Sequence, residues 1–164
     1  MSLPIIWIYS GNHDMERIRE YLDYGELKLV YAFLLSMPGA PAEKLYTAQD
    51  SSEDAPVVSK QIKAQDSLWH EIQKLIKIRR DSPALCAFGT IEFVYCEPEK
   101  YSLVYLRSDG KDKILAALNP SKEKVSCKCP YKLKEIIYTL GNTIKLENDM
   151  LSMPGESAAY VSVV

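Results

Sequence analysis

Pro83 divides this sequence into two parts of different periodicity, and no other feature constrains the fold as much. Upstream of it, apolar residues recur at helical spacing. From Glu26 to Ser36, Leu27, Val30, Tyr31 and Leu34 share one face, while Leu29, Phe33 and Leu35 widen the apolar belt nearly all round. Such a helix is expected to be buried on most sides, and Pro38 and Gly39 end it. A second helix is expected over 67–80, with Asp66 as its N-cap. Leu68, Ile72, Leu75 and Ile76 form its stripe, and Lys77, Arg79 and Arg80 complement the negative end of its dipole. Ile5 to Tyr9 is a short continuous apolar run, as in a parallel strand covered on both faces. Residues 43–65, between the helices, are polar and irregular and read as a surface loop. Its acidic stretch from Asp50 to Asp54 lacks the alternating spacing and central Gly of a calcium loop.

Downstream of Pro83 the period falls to two. Ile91 to Cys96, Tyr101 to Arg107, Lys113 to Leu118, Val125 to Cys129, Leu133 to Tyr138 and Ala159 to Val164 are short β-prone runs. Turn signals separate them, among them Ser108-Asp109-Gly110, Asn119-Pro120 and Pro154-Gly155. Strands at that spacing predict an antiparallel sandwich or barrel. The expected fold is therefore α+β: a β-α-loop-α segment over 1–83, then an antiparallel β-sandwich over 84–164.

Charge and cysteine usage narrow the function classes. Twenty Lys and Arg against 22 Asp and Glu give a net charge of -2, without the basic excess of a nucleic-acid binder. No apolar run approaches the roughly 20 residues of a membrane span. Four cysteines, with no N-terminal signal pattern, fit free thiols in a reducing cytoplasm. Cys127 and Cys129 are too close for a zinc knuckle and fall on one strand face, so neither metal nor cofactor is expected. His70 reads as a helix-surface imidazole, and Trp7 and Trp69 as core or interface rings. Tyr95, Tyr101 and Tyr105 read as half-buried strand tyrosines, with a sugar-stacking face as the alternative.

Catalytic character is concentrated in Asn12-His13-Asp14, with Arg17 three positions on, just past the expected parallel strand. Barrels of β/α type place their sites at such strand ends. A metal-dependent hydrolase centred on His13 and Asp14 would need further ligands at suitable spacing, and none accompanies them.

The run Ser10-Gly11-Asn12-His13-Asp14-Met15-Glu16-Arg17 resembles the seventh-strand motif of the α-amylase family of glycoside hydrolases. The stretch Lys28 to Pro41, ending Met37-Pro38-Gly39-Ala40-Pro41, is similar to the helix and Gly-x-Pro turn that follow in those enzymes. Asp66 to Leu85 resembles the last barrel helix and the start of their C-terminal β-domain, and Leu115 to Pro120 a strand of that domain. The resemblance implies that residues 1–83 are the end of a (β/α)8 barrel. It implies that Asp14 stabilises the positively charged transition state, that His13 and Asn12 bind the substrate sugar, and that Arg17 is a candidate ion-pair partner of a nearby acid.

The sequence also departs from the family. The nucleophilic Asp and acid/base Glu belong to the fourth and fifth barrel strands and have no counterpart here, while Ala42 to Thr47 lacks the Tyr-Gly-x-Glu pattern of the eighth. The expectation is a C-terminal fragment of a retaining α-amylase- or α-glucosidase-like enzyme acting on α-glucans, inactive by itself. The alternative is a non-catalytic β-sandwich that binds carbohydrate or supports a partner domain. Neither nucleic acid nor membrane is an expected partner. Leu29, Phe33 and Leu35 need a surface to cover them, so either helix 26–36 folds back on the β-module or two chains pair through it; a homo-oligomer through the exposed helix is the expectation preferred.

Overall fold

The computed structural model describes residues 7–8, 18, 21–41 and 58–164. Its elements are β1 (Trp7–Ile8), α1 (Tyr24–Ser36), β2 (Ala40–Pro41), α2 (Val58–Lys63), α3 (Leu68–Asp81) and a 3-10 turn at Pro83–Leu85. The strands β3 (Thr90–Cys96), β4 (Leu103–Ser108), β5 (Lys113–Asn119) and β6 (Val125–Lys128) follow. The chain ends with β7 (Leu133–Leu140), β8 (Lys145–Glu147), β9 (Met150–Met153) and β10 (Ser157–Val163).

The β-module is a sandwich of a five-stranded sheet, in the order β3-β4-β5-β10-β7, and a three-stranded sheet, β6-β9-β8. All pairings within these two sheets are antiparallel. The helices cover the outer face of the larger sheet, giving three layers. Strand alternation sorts side chains between two cores. Tyr105, Ile114, Ala116, Leu118, Ala158 and Tyr160 face the helices, with Leu29, Ala32, Leu35 and Leu75. Val104, Leu106, Leu115, Ala117, Ala159 and Val161 face the smaller sheet, with Cys127, Cys129, Leu151 and Met153. Since both faces are covered, β4, β5 and β10 read as continuous apolar runs rather than alternating ones.

This packing corrects the expectation of pairing through an exposed helix 26–36. Leu29 and Leu35 are 6% and 8% exposed within a single chain, because α1 lies on α3 and on its own β-sheet. Phe33 is half-buried, its ring edge-on to Tyr105 with centroids 6.4 Å apart. One core is thus shared between the segments on either side of Pro83.

Three local differences from the sequence reading have physical causes. α2 occupies the end of the expected 43–65 loop, and at six residues it is too short to show an apolar stripe. Ser67, not Asp66, is the N-cap of α3, and its hydroxyl donates to Gln61 O (2.6 Å) instead of capping. β8 and β9 form a hairpin in which Glu147 pairs with Met150, so Asn148 and Asp149 alone make the turn. Both have positive φ, 49° and 61°, as a twist-matched two-residue turn requires. α1 itself starts at a capping box, with Asp23 Oδ1 accepting from Glu26 N (2.9 Å) and Glu26 Oε2 accepting from Asp23 N (2.8 Å).

Candidate functional site

β1 and β2 pair in parallel, Trp7 opposite Ala40 and Ile8 opposite Pro41, with α1 as the connection. This is a β-α-β unit of the kind that builds α/β barrels. Parallel strands end at the same edge, so the chain leaves Ile8 and Pro41 on one side. Asn12, His13, Asp14 and Arg17, which follow β1, lie outside the described residues, as do the acidic positions Asp50 to Asp54.

The described frame beneath that edge is held by charge at the end of α1. This helix has no basic residue in its last turn, so its exposed carbonyls and negative dipole end need outside partners. Two guanidiniums supply them. Arg79 Nη1 donates to Leu35 O and Met37 O (both 2.8 Å), and Nη2 to Gly39 O (2.7 Å). Arg107 Nη1 donates to Ser36 O, its Nε to Thr90 O (3.0 Å), and its Nη2 to Cys86 O (2.8 Å) and Gly89 O (3.2 Å). Burial lowers both side chains from the usual arginine range, Arg107 to about 10. The expected role of Arg79 is thereby corrected: it sits in the last turn of α3 but serves the end of α1.

Sheet tyrosines complete the clasp. Ala116 pairs with Tyr105 on one side and Tyr160 on the other, which points both rings at α1. Tyr105 Oη lies 2.5 Å from Ser36 Oγ, and Tyr160 Oη donates to Ala32 O. Ser36 Oγ in turn bonds Ala32 O (2.8 Å) and Phe33 O (2.9 Å). Desolvation pushes the Tyr105 phenol up to about 12 and raises Tyr160 as well. The turn out of α1 depends on two glycines. Gly39 has φ +102°, and a Cβ on Gly89 would lie 2.4 Å from Ala84 O and 2.8 Å from Arg107 Nη2.

The tyrosines do not form a sugar-stacking face. Tyr105 is fully buried toward the helices. Across the register shift between Phe93 and Tyr95, Tyr95 pairs with Val104 and packs on the sandwich core instead. Tyr101 lies in the connection between β3 and β4, 82% exposed. His70 is exposed, its Nε2 2.9 Å from Ile62 O, and Trp69 is half-buried. Cys127 and Cys129 are buried free thiols on one face, and burial pushes Cys127 up to about 11, away from the reactive thiolate. Among the described residues no group of three or more His, Cys, Asp or Glu is placed to hold a metal.

Arg107 escaped the sequence reading, although a charged residue directly after Leu103-Val104-Tyr105-Leu106 is itself a signal. Asn119, read as opening a turn, does more. Its amide nitrogen donates to Glu123 O, Met153 O and Pro154 O, while its oxygen accepts from Ser102 and Ser121.

The architecture defines a class, the closing edge of a β/α barrel joined to an antiparallel sandwich. Known proteins make that class specific. No family model matches the chain. A cyclomaltodextrinase from Geobacillus thermopakistaniensis (strain MAS1) is 25% identical over 130 residues, covering 73% of this chain and 22% of that protein. Among solved structures, a trehalulose synthase superposes with a TM-score of 0.77 at 14% identity, over 96% of this chain and 43% of its own. An alpha-amylase from H. orenii gives 0.72 at 18% identity, over 98% of this chain and 40% of its own. The chain is similar to the C-terminal part of α-amylase-family glycoside hydrolases, in sequence to the first and in fold to the others. It spans less than half the length of these proteins.

Proposed function

We propose that this chain is the C-terminal part of a retaining α-glucan-acting glycoside hydrolase and does not cleave glycosidic bonds by itself. The observation that carries the reading is the parallel β1-α1-β2 unit, with Asn12-His13-Asp14 following the end of β1 in sequence. In this reading Asp14 stabilises an oxocarbenium-like transition state. His13 and Asn12 bind hydroxyls of the same sugar, and Arg17 holds a neighbouring acid. Retaining hydrolysis also needs a nucleophile and a general acid with carboxyl groups about 5–5.5 Å apart across the scissile bond. The resemblance offers no counterpart of the family's pair among these residues, which supports reading the chain as inactive by itself. Four free thiols among the described residues, Cys86, Cys96, Cys127 and Cys129, support a reducing, cytoplasmic setting.

The test is a long incubation of the purified chain with an aryl α-glucoside and with maltooligosaccharides, beside Asp14→Asn. No turnover above background is expected from either protein. Turnover abolished by Asp14→Asn would mean that a complete site assembles here, and would overturn the proposal.

A further inference from the structure

A hollow of about 550 Å³ lies between α1, α3 and β2, within the usual range for small-molecule pockets. Leu34, Leu35, Pro41, Ile72 and Ile76 give it apolar walls, and Arg79 lines it too. The charge balance there is unusual. Arg79 and Arg107 bring two positive charges to the end of α1, whose dipole offers only about half a negative charge. Among the described residues neither guanidinium has a carboxylate within ion-pair distance. Arg80 also lines the hollow, and its ion-pair partner among the described residues is Asp81, 3.7 Å from Nε in an exposed pair.

The donors of Arg79 are only partly used. Both hydrogens on Nη1 and one on Nη2 go to the carbonyls of Leu35, Met37 and Gly39. The Nε hydrogen and the second on Nη2 have no acceptor among the described residues, so the guanidinium keeps donors for a carboxylate. From this juxtaposition we propose that the hollow is a binding site for an amphipathic carboxylate. Its anionic head sits on the remaining donors of Arg79, and its apolar tail lies against Leu34, Ile72 and Ile76. The head supplies the missing negative charge, and the tail covers apolar surface on α1 and α3. The proposal does not depend on the glycosidase reading. An occupant bridges the two helices and stabilises the fold by mass action.

The probe is sodium octanoate, titrated into the full chain and followed by calorimetry and by thermal unfolding. Sodium acetate, a head without a tail, and 1-octanol, a tail without a head, run in parallel. Saturable octanoate binding with a rise in Tm is expected, with acetate and octanol each weaker by about tenfold or more. Ile76→Trp fills the hollow from a partly exposed position, so it should remove octanoate binding while leaving the far-UV spectrum unchanged. Arg79→Lys should weaken octanoate about tenfold and leave octanol unchanged. Should Arg79→Lys fail to fold, Ile76→Trp and the octanol comparison decide. Octanol binding as tightly as octanoate would overturn the proposal. So would octanoate binding that survives Ile76→Trp, or no saturable octanoate binding at all.

Discussion

Arg107→Met would remove the only charged side chain that is fully buried among the described residues, and its cost follows from the carbonyls left behind. Thr90 O, Ser36 O, Cys86 O and Gly89 O all accept from this guanidinium. Hydrogen bonds from a charged donor contribute roughly 1.5–3 kcal/mol each, a gross sum of about 6–12 kcal/mol. Desolvating the guanidinium offsets several kcal/mol of that, so the net loss should be about 3–5 kcal/mol, set by the four neutral carbonyls left without a donor. A domain of this kind is stable by roughly 5–15 kcal/mol, so the variant should still fold, with a large margin gone. Arg107→Lys separates charge from geometry. A lysine keeps the cation at the end of α1, but its compact ammonium does not span four carbonyls as a planar fork does. It should recover no more than about half of the loss, most of that through the helix dipole. Urea unfolding followed by circular dichroism, with the m-value compared between variants, gives the numbers. A loss below about 1 kcal/mol in Arg107→Met at unchanged m would refute the reasoning, because water would then be satisfying the four carbonyls.

Three further outcomes follow. Tyr138 Oη and Glu71 Oε1 are buried against each other without a well-formed hydrogen bond, so Tyr138→Phe should change stability by no more than about 1 kcal/mol in the same urea assay. Asp23→Ala removes one half of the α1 capping box and should cost about 0.5–2 kcal/mol, read as a lower urea midpoint. At alkaline pH, Tyr105 ionises near 10 when unfolded and near 12 when folded, so its contribution is intact below pH 10 and lost as pH rises to about 12. Arg107, depressed to about 10, works in the opposite sense over a similar window, but Tyr138 and Tyr160 are also raised by burial. Net stability should therefore fall above pH 10, and urea midpoints that rise through that window would contradict it.

The apolar pattern made the helices and most strands legible because burial on a known side leaves a periodic trace. Lys113 to Leu118 and Ala159 to Val164 were readable as strands, although their two faces belong to different cores. Short elements left less trace: β8 is three residues and β9 four, although Asn148-Asp149 between Leu146 and Leu151 was a usable turn signal. What covers α1 was not legible. An apolar belt all round says that a helix is buried, and nothing in the belt distinguishes a second chain from the chain's own sheet. The reading of Asn12 to Asp14 rests on a place after an expected strand and on resemblance, since three residues carry no periodicity. The clasp at the other end of α1 was hidden for a different reason. It joins Ser36 to Arg107 across 71 positions, and side chains with no local pattern make it.

That clasp decides how the two segments of the chain depend on each other. α1 has no cation in its own last turn and takes one from α3 and another from β4. Tyr105 and Tyr160 reach the same turn from the sheet, so the β-module fixes where α1 ends and where the chain enters β2. A cut at Pro83 would do more than separate two lobes. It would uncover Tyr105, Ile114, Ala116, Leu118 and Tyr160 on one face of the larger sheet, and leave Arg107 buried against a helix end that is no longer there. A sheet built to be covered on both faces does not tolerate that exposure in water. The parallel pair β1-β2, two residues a strand, has too few backbone bonds to hold its own register. Its position is set through the end of α1 by residues more than 60 positions away, so the edge followed in sequence by Asp14 is only as rigid as the clasp beneath it.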